Sequence, residues 1–172
     1  MKIILIGYMA SGKSYLGQKL AKILDFEFLD LDDFIEKEEK ATIKEIFLSK
    51  GEIYFRKIEH LYLKKAIATN SNTVISLGGG TPCYGNNMSL LLNKPNIKTV
   101  YLQVSIPNLV ERVLNETAKR PIIAHLKTKE ELTEFVGKHL FERIPFYSKA
   151  ACTVNANKKE NEVIESVLMQ LF

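Results

Sequence analysis

Several features that would indicate particular classes of protein are scarce or absent in this 172-residue chain. It has no tryptophan, two cysteines and three histidines. Two cysteines are too few for a disulfide framework, and neither Cys83 nor Cys152 belongs to a C-x-x-C pair. We therefore expect both to be reduced thiols without a metal role. The histidines lack the spacing of metal ligands, so no histidine metal centre is expected either.

Long apolar runs and an excess of one charge are also lacking. The apolar run at residues 3–6 is far shorter than the roughly 20 residues of a spanning helix or the roughly 7 to 15 of a signal peptide. We therefore expect a cytoplasmic protein without a membrane segment. The 24 basic and 20 acidic residues give a net charge of +4. This interspersed charge does not favour nucleic acid as a partner.

The sequence has instead the composition and length of one globular domain, with 46% apolar and 26% charged residues. Apolar, β-branched runs predict strands at residues 2–6, 26–29, 73–77, 98–104 and 151–154. Helical periodicity predicts helices at residues 13–24, 34–39, 42–50, 52–68, 87–93, 107–115, 129–142 and 160–171. Alternation of this kind predicts an α/β three-layer sandwich with a five-stranded parallel sheet, which binds ligands at the carboxyl ends of its strands.

The first predicted strand is followed by a phosphate-binding motif. Residues 7–14, GYMASGKS, fit the pattern G-x-x-x-x-G-K-[ST] between a strand and a helix. In such a loop the backbone N–H groups and the helix N-terminus face phosphate oxygens. Lys13 would reach the β and γ phosphates, and the hydroxyl of Ser14 would bind Mg²⁺. A tight turn with an exposed lysine is the alternative interpretation.

Carboxylates follow the second predicted strand. Asp30 and Asp32 are two residues apart at its end, so their side chains can share one face. One could hold a water ligand of Mg²⁺ while the other accepts a hydrogen bond from an attacking hydroxyl. The alternative is a helix N-cap made by Asp32 or Asp33.

Other motifs are ambiguous when taken singly. Arg56 and Glu59 are three residues apart in a predicted helix and could form a plain surface ion pair. The triple glycine at residues 78–80 suits either a sharp turn or the close approach of a ligand to backbone amides. Arg120 and Arg143 have the side chain best suited to bidentate contacts with carboxylate or phosphate, although single arginines are usually solvated.

Taken in order, six segments of the chain resemble the motif series of the shikimate kinase family, in the nucleoside-monophosphate-kinase-like branch of the P-loop proteins. They are GYMASGKS, LDLDD, FRKIE, SLGGGTP, KRPII and ERIPFY. Many nucleotide-binding proteins share the first segment, whereas the combination in this order is close to diagnostic and spans nearly the whole chain. The resemblance implies ATP- and Mg²⁺-dependent phosphorylation of the 3-hydroxyl of shikimate, in chorismate and aromatic amino-acid biosynthesis.

The resemblance also implies roles for individual residues. It assigns catalysis to Lys13, Asp32 and Arg120, and metal binding to Ser14 and Asp30. The implied ATP-binding residues are Gly7, Ala10, Ser11, Gly12, Lys13, Ser14, Tyr15, Arg112, Arg120 and Lys158. The implied shikimate-binding residues are Asp32, Phe47, Phe55, Arg56, Gly79, Gly80 and Arg143, of which the two arginines would clamp the substrate carboxylate and the two phenylalanines would line the ring pocket.

At the level of domains, the resemblance implies one P-loop kinase domain over residues 1–172. A substrate-binding segment would occupy about residues 31–62, and a mobile lid about residues 112–126 would close over the reactants. ATP and shikimate would be the partners, without nucleic acid or membrane, and we expect a monomer.

Two segments depart from the family pattern. Ala10 stands where glycine is frequent, which suits the loop if its φ angle is negative. Lys158 and Lys159 replace an arginine-rich stretch on the adenine side.

Two alternative functions stay open from the sequence. A kinase of the same architecture could act on gluconate or a nucleoside monophosphate, because the substrate arginines overlap among such enzymes. A GTP-dependent switch or a non-catalytic nucleotide-binding module is the second. It is disfavoured because Asn96 stands where the guanine-reading motif N-K-x-D requires aspartate.

Overall fold

The computed structural model describes residues 1–114, 126 and 128–172. Within them lies a five-stranded sheet whose strands are β1 (Lys2–Ile6), β2 (Glu27–Asp30), β3 (Thr73–Ser76), β4 (Ile97–Gln103) and β5 (Cys152–Asn155). The strand order is β2-β3-β1-β4-β5 and every pairing is parallel. This confirms the predicted sheet, and β1 lies at its centre with all five of its residues buried.

Helices pack on the sheet as the predicted alternation requires. They are α1 (Lys13–Leu24), α2 (Leu31–Glu39), α3 (Ile43–Ala68), α4 (Asn87–Leu92), α5 (Ile106–Leu114), α6 (Lys129–Tyr147) and α7 (Glu160–Leu171), with a short 3-10 helix at Thr81–Cys83. No helix in the described ranges has the length and apolar character needed to cross a membrane.

A kink divides α3 where the sequence places a glycine. Gly51 has φ 79° and ψ 174°, which breaks the helical backbone between the two segments predicted at residues 42–50 and 52–68. Thr42 caps the first segment, and its side chain accepts a hydrogen bond from the backbone N–H of Glu45. The kink separates this capped segment from the second one, which carries Arg56.

Two predicted helix boundaries were wrong. α2 begins at Leu31 rather than at residue 34, because the Asp30 side chain accepts a hydrogen bond from the backbone N–H of Asp32 and caps the helix. α6 continues through Pro145 to Tyr147 rather than ending at residue 142. The buried Tyr147 donates a hydrogen bond to the carbonyl of Gly79 at 2.6 Å, which holds this last turn against the sheet.

Candidate active site

The phosphate-loop segment wraps tightly around the ammonium group of its own lysine. Lys13 Nζ donates hydrogen bonds to the carbonyls of Gly7 at 2.9 Å and Tyr8 at 2.8 Å, and only 8% of the residue is exposed. This geometry excludes the turn with an exposed lysine. A buried cation between the loop and the N-terminus of α1 makes the site suitable for phosphate.

Ala10 does not meet the condition under which alanine suits this loop. Its φ is +60°, in the left-handed region, rather than negative. Gly12 also has a positive φ, of 91°, as the N-cap of α1. An L-residue in this region is strained by its Cβ, so the loop imposes its shape on Ala10 against a local preference.

Oxygen atoms suited to a hard cation gather beside the loop. Ser14 Oγ donates to Asp30 Oδ2 at 2.5 Å and lies 3.3 Å from Ser76 Oγ. Magnesium is commonly held by one or two carboxylates together with substrate phosphates rather than by a cage made of protein alone. In keeping with this, the described residues contain no group of three or more metal-binding side chains. The donor set fits Mg²⁺.

Asp32 lies in the same cleft as this oxygen cluster and the lysine. The cleft has a volume of about 400 Å³, and its lining includes Lys13, Asp30, Asp32 and Gly79. Asp30, not Asp32 or Asp33, caps α2, which leaves the carboxylate of Asp32 unused by the cap. The two aspartates share the cleft because Asp30 ends β2 and Asp32 lies in the first turn of α2, not because they lie on one face of a strand.

The surroundings of Asp32 disfavour its charged form. Burial, followed by the neighbouring Asp30 and Glu59, raises the pKa of the Asp32 carboxyl to about 7, against the opposing effect of Lys13. Gly78 packs directly on this carboxyl, since a Cβ at that position would lie 2.8 Å from Asp32 Oδ1. A larger residue at position 78 would displace the carboxyl, which explains the first glycine of the triplet.

Arg56 is held in place by a buried carboxylate and an aromatic ring. Its Nη1 donates to Glu59 Oε2 at 2.9 Å, and Glu59 is only 1% exposed. The guanidinium carbon lies 3.7 Å from the ring centroid of Tyr84. Thr81 Oγ1 donates to the other oxygen of Glu59 at 2.7 Å. The plain surface ion pair is therefore wrong as an interpretation of Arg56 and Glu59, because Glu59 is fixed inside the fold.

The triple glycine meets Arg56 at close range. A Cβ on Gly80 would lie 3.0 Å from Arg56 Nη2, so a larger residue would displace the guanidinium. Gly79 approaches the phosphate loop, with Met9 N and Gly7 O at 3.5 and 3.6 Å from an added Cβ. The triplet therefore lies between Arg56 and the phosphate loop.

Arg143, the other arginine expected to bind the substrate carboxylate, lies on α6. Its Nη1 donates to the backbone carbonyl of His139 at 3.1 Å. Both Arg143 and Arg56 act electrostatically on the thiol of Cys83, whose pKa burial nevertheless raises to about 11. One half-buried thiol therefore feels the charge of two arginines that are 87 positions apart in the sequence.

Two phenylalanines expected in the substrate pocket pack against each other. The rings of Phe47 and Phe55 have centroids 4.6 Å apart. Phe55 is buried, and the guanidinium carbon of Arg56 lies 5.1 Å from the centroid of its ring. Phe47 is half-buried. They form an apolar wall next to the arginine.

A second, smaller cavity of about 190 Å³ lies on the other side of the phosphate loop. Its lining includes Ser11, Tyr15, Arg112 and Lys158. Arg112 donates to the carbonyl of Ala10 at 3.3 Å and also to that of Ala156. This cavity brings together the residues expected to surround the nucleotide base. Arg120 and most of the expected lid fall outside the described residues.

Sequence reasoning assigned no site role to three residues that shape the site. These are Tyr84, whose ring lies against Arg56, Cys83, whose thiol feels the charge of both arginines, and Tyr147, whose hydroxyl donates to the carbonyl of Gly79. The signal in the sequence is that they adjoin or end a motif: residues 81–84 continue the triple glycine, and Tyr147 ends ERIPFY.

Comparison with known proteins gives a consistent result. A family model described as shikimate kinase matches residues 9–172. The shikimate kinase of Flavobacterium johnsoniae is 46% identical over 168 residues, covering 97% of this chain and 96% of that protein. The shikimate kinase of Flavobacterium psychrophilum is 42% identical over 172 residues, covering 99% of each.

Solved structures agree. A crystal structure of shikimate kinase from Bacteroides thetaiotaomicron has a TM-score of 0.88 at 37% identity, covering 99% of this chain and 96% of that one. Shikimate kinase from Acinetobacter baumannii in complex with shikimate has a TM-score of 0.82 at 27% identity, covering 99% and 92%. A gluconokinase from Sinorhizobium meliloti reaches 0.64 at 18% identity, covering 99% and 90%, and that likeness extends to the fold alone.

Proposed function

The chain belongs to the shikimate kinase family, and we propose that it transfers the γ phosphoryl group of ATP to the 3-hydroxyl of shikimate in the cleft lined by the phosphate loop, the ends of β2 and β3 and the first turn of α2. One observation supports the location best. Lys13 and the Ser14–Asp30 oxygen cluster share a single cleft with Asp32, so groups suited to phosphate and to a hydroxyl face each other. The phosphoryl group would cross that cleft.

On the donor side, the phosphates of ATP would lie in the loop of residues 7–14. The ammonium of Lys13, now bonded to loop carbonyls, would turn to the β and γ phosphate oxygens and neutralise charge that develops during transfer. Ser11, Gly12 and neighbouring loop residues would donate backbone N–H groups. The burial of the lysine keeps water from competing for these contacts.

Mg²⁺ is the metal that the oxygen cluster suits. The hydroxyl of Ser14 would bind it directly and the carboxylate of Asp30 would bind one of its waters, since their 2.5 Å hydrogen bond already brings the two oxygens together. When bound, the ion supplies positive charge to the β and γ phosphate oxygens.

On the acceptor side, Asp32 would orient the attacking hydroxyl. Its carboxylate is free of the helix cap, and Gly78 leaves room beside it. Hydrogen bonding to Asp32 would hold the hydroxyl in line with the γ phosphate. The carboxylate would take up its proton as the new O–P bond forms and the bond from the γ phosphorus to the bridging oxygen breaks, which releases ADP.

The carboxylate of shikimate would bind between Arg56 and Arg143. Both guanidinium groups act electrostatically on the thiol of Cys83, which supports a shared anion site for the two arginines. Backbone amides of Gly79 and Gly80 would complete the acceptor side, with Phe47 and Phe55 as the apolar wall for the ring. Such a substrate needs cations for its anion, a carboxylate for its hydroxyls and an apolar surface, and these residues supply all three.

The remaining assignments concern the base, the lid and the assembly. The base would occupy the cavity that contains Tyr15, Arg112 and Lys158. Arg120, on a lid of about residues 112–126, would contact phosphate and substrate once closed. A single domain with a substrate-binding segment at about residues 31–62, acting as a monomer, completes the proposal. We also propose a cytoplasmic location, because free thiols such as Cys83 and Cys152 suit a reducing environment.

The test is ADP release by the purified protein with ATP and Mg²⁺, compared for shikimate, gluconate, nucleoside monophosphates and no acceptor. We expect stimulation by shikimate alone, and no stimulation without a divalent cation. Stimulation by another acceptor would overturn the assignment of the acceptor residues while leaving the phosphate loop intact. The same assay with GTP in place of ATP tests the remaining alternative, a guanine-nucleotide switch, which would prefer GTP and would not respond to shikimate.

A further inference from the structure

A shielded hydrogen bond joins the phosphate loop to α6. The hydroxyl of Tyr8 lies 2.8 Å from Nδ1 of His139, and the two rings meet edge to face with centroids 5.5 Å apart. Tyr8 is 2% exposed, and the half-buried His139 also packs on the ring of Phe135, one helical turn earlier. The contact therefore links two elements that are separated by more than a hundred residues in the sequence.

Each member of this pair also touches a cation of the site through its backbone. The carbonyl of Tyr8 accepts a hydrogen bond from Lys13 Nζ at 2.8 Å. The carbonyl of His139 accepts one from Arg143 Nη1 at 3.1 Å. A continuous path thus runs from Lys13 through Tyr8 and His139 to Arg143, from the phosphate side of the cleft to the acceptor side.

The histidine is suited to this place because it is uncharged. Burial, followed by the positive charge of Arg143, lowers the pKa of His139 to about 4. A neutral imidazole adds no repulsion beside Arg143 and keeps one ring nitrogen for the hydroxyl of Tyr8.

We propose that Tyr8 and His139 are positioning residues that fix Arg143 relative to Lys13 and so align the acceptor hydroxyl with the γ phosphate. This inference rests on the roles proposed above for the two cations. Without the pair, each cation still binds its own anion, but the distance between the two bound anions is less well defined. Phosphoryl transfer depends on that alignment, so the loss should lower kcat rather than raise either KM.

The test uses substitutions that keep an aromatic ring and remove one polar atom. In Tyr8→Phe and in His139→Phe we expect kcat to fall about two- to tenfold, the range of a single hydrogen bond, with both KM values within about twofold of wild type. The double variant should be no slower than the slower single variant, because both changes remove the same contact. His139→Asn, which keeps a polar atom near the position of Nδ1, should restore part of the kcat.

Thr99→Val is the matched control. It removes a buried hydroxyl that accepts a hydrogen bond from the backbone N–H of Ala151 at 2.8 Å, and Thr99 lines neither cavity of the active site. We expect it to lower Tm with kcat unchanged. An unchanged kcat in Tyr8→Phe, additive effects in the double variant, or an equal fall in kcat for Thr99→Val would each overturn the proposal. Failure of the clamp itself shows differently, as an unchanged KM for shikimate in Arg143→Ala.

Discussion

The phosphate side and the acceptor side of the cleft hold their charged groups by different means. On the phosphate side, backbone carbonyls of Gly7 and Tyr8 hold Lys13 within one stretch of eight residues. On the acceptor side, the carboxylate of Glu59 and the ring of Tyr84 hold Arg56. The first side is therefore a local structure, whereas the second depends on packing between distant elements.

The largest expected effect concerns the phosphate side. Lys13→Met removes a buried cation that no other described side chain in the loop replaces, so we expect kcat to fall by about a thousandfold or more. Circular dichroism and Tm should still show a folded protein. Lys22→Met, an exposed position on the same helix, is the control and should keep wild-type kcat. A similar loss in both variants would contradict the role of Lys13.

Asp32 stands between the two sides, and Asp32→Asn tests it by activity and by stability. We expect turnover to fall about a hundredfold or more, because the amide cannot take up the proton of the hydroxyl. Binding of shikimate, measured by calorimetry without nucleotide, should weaken much less, since Arg56 and Arg143 are intact. A loss confined to binding would contradict the role in proton transfer.

The stability test of Asp32 uses the protein free of metal and nucleotide. An aspartate has a pKa of about 3.9 in an unfolded chain and Asp32 one of about 7 in the fold. Folding then takes up a proton between those values, so the stability that the neutral carboxyl contributes at low pH is lost as pH rises from about 4 through about 7. Relative to wild type, Asp32→Asn should gain Tm between pH 5 and pH 8. A pH-independent difference would show that the carboxyl titrates normally.

The acceptor side should respond through substrate affinity. Arg143→Ala removes one half of the proposed clamp, and we expect the KM for shikimate to rise about ten- to a hundredfold, with the KM for ATP little changed. Lys138→Ala, an exposed cation on the same helix, is the control. A normal KM for shikimate in Arg143→Ala would exclude the clamp.

The same contrast explains what the sequence could predict. The phosphate loop, the central strand and the kink at Gly51 follow from neighbouring residues, so pattern and spacing were sufficient. The ion pair of Arg56 with Glu59 has the spacing of a surface pair, and only the packing of the 3-10 helix on α3 buries it. The Tyr8–His139 bond joins elements with no pattern in common, so no local signal could have indicated it.

The smallest expected effect returns to the phosphate side and concerns its backbone. Ala10 has a φ of +60°, which costs an L-residue about 1 kcal/mol that glycine avoids, partly offset by the greater freedom of glycine in the unfolded chain. Ala10→Gly should therefore raise Tm by about 1–3 °C with both KM values unchanged. Ala68→Gly, at the end of helix α3, should instead lower Tm. If both variants lowered Tm, the methyl group of Ala10 would contribute more through packing than its backbone strain costs. The phosphate side would then depend on side-chain contacts much as the acceptor side does.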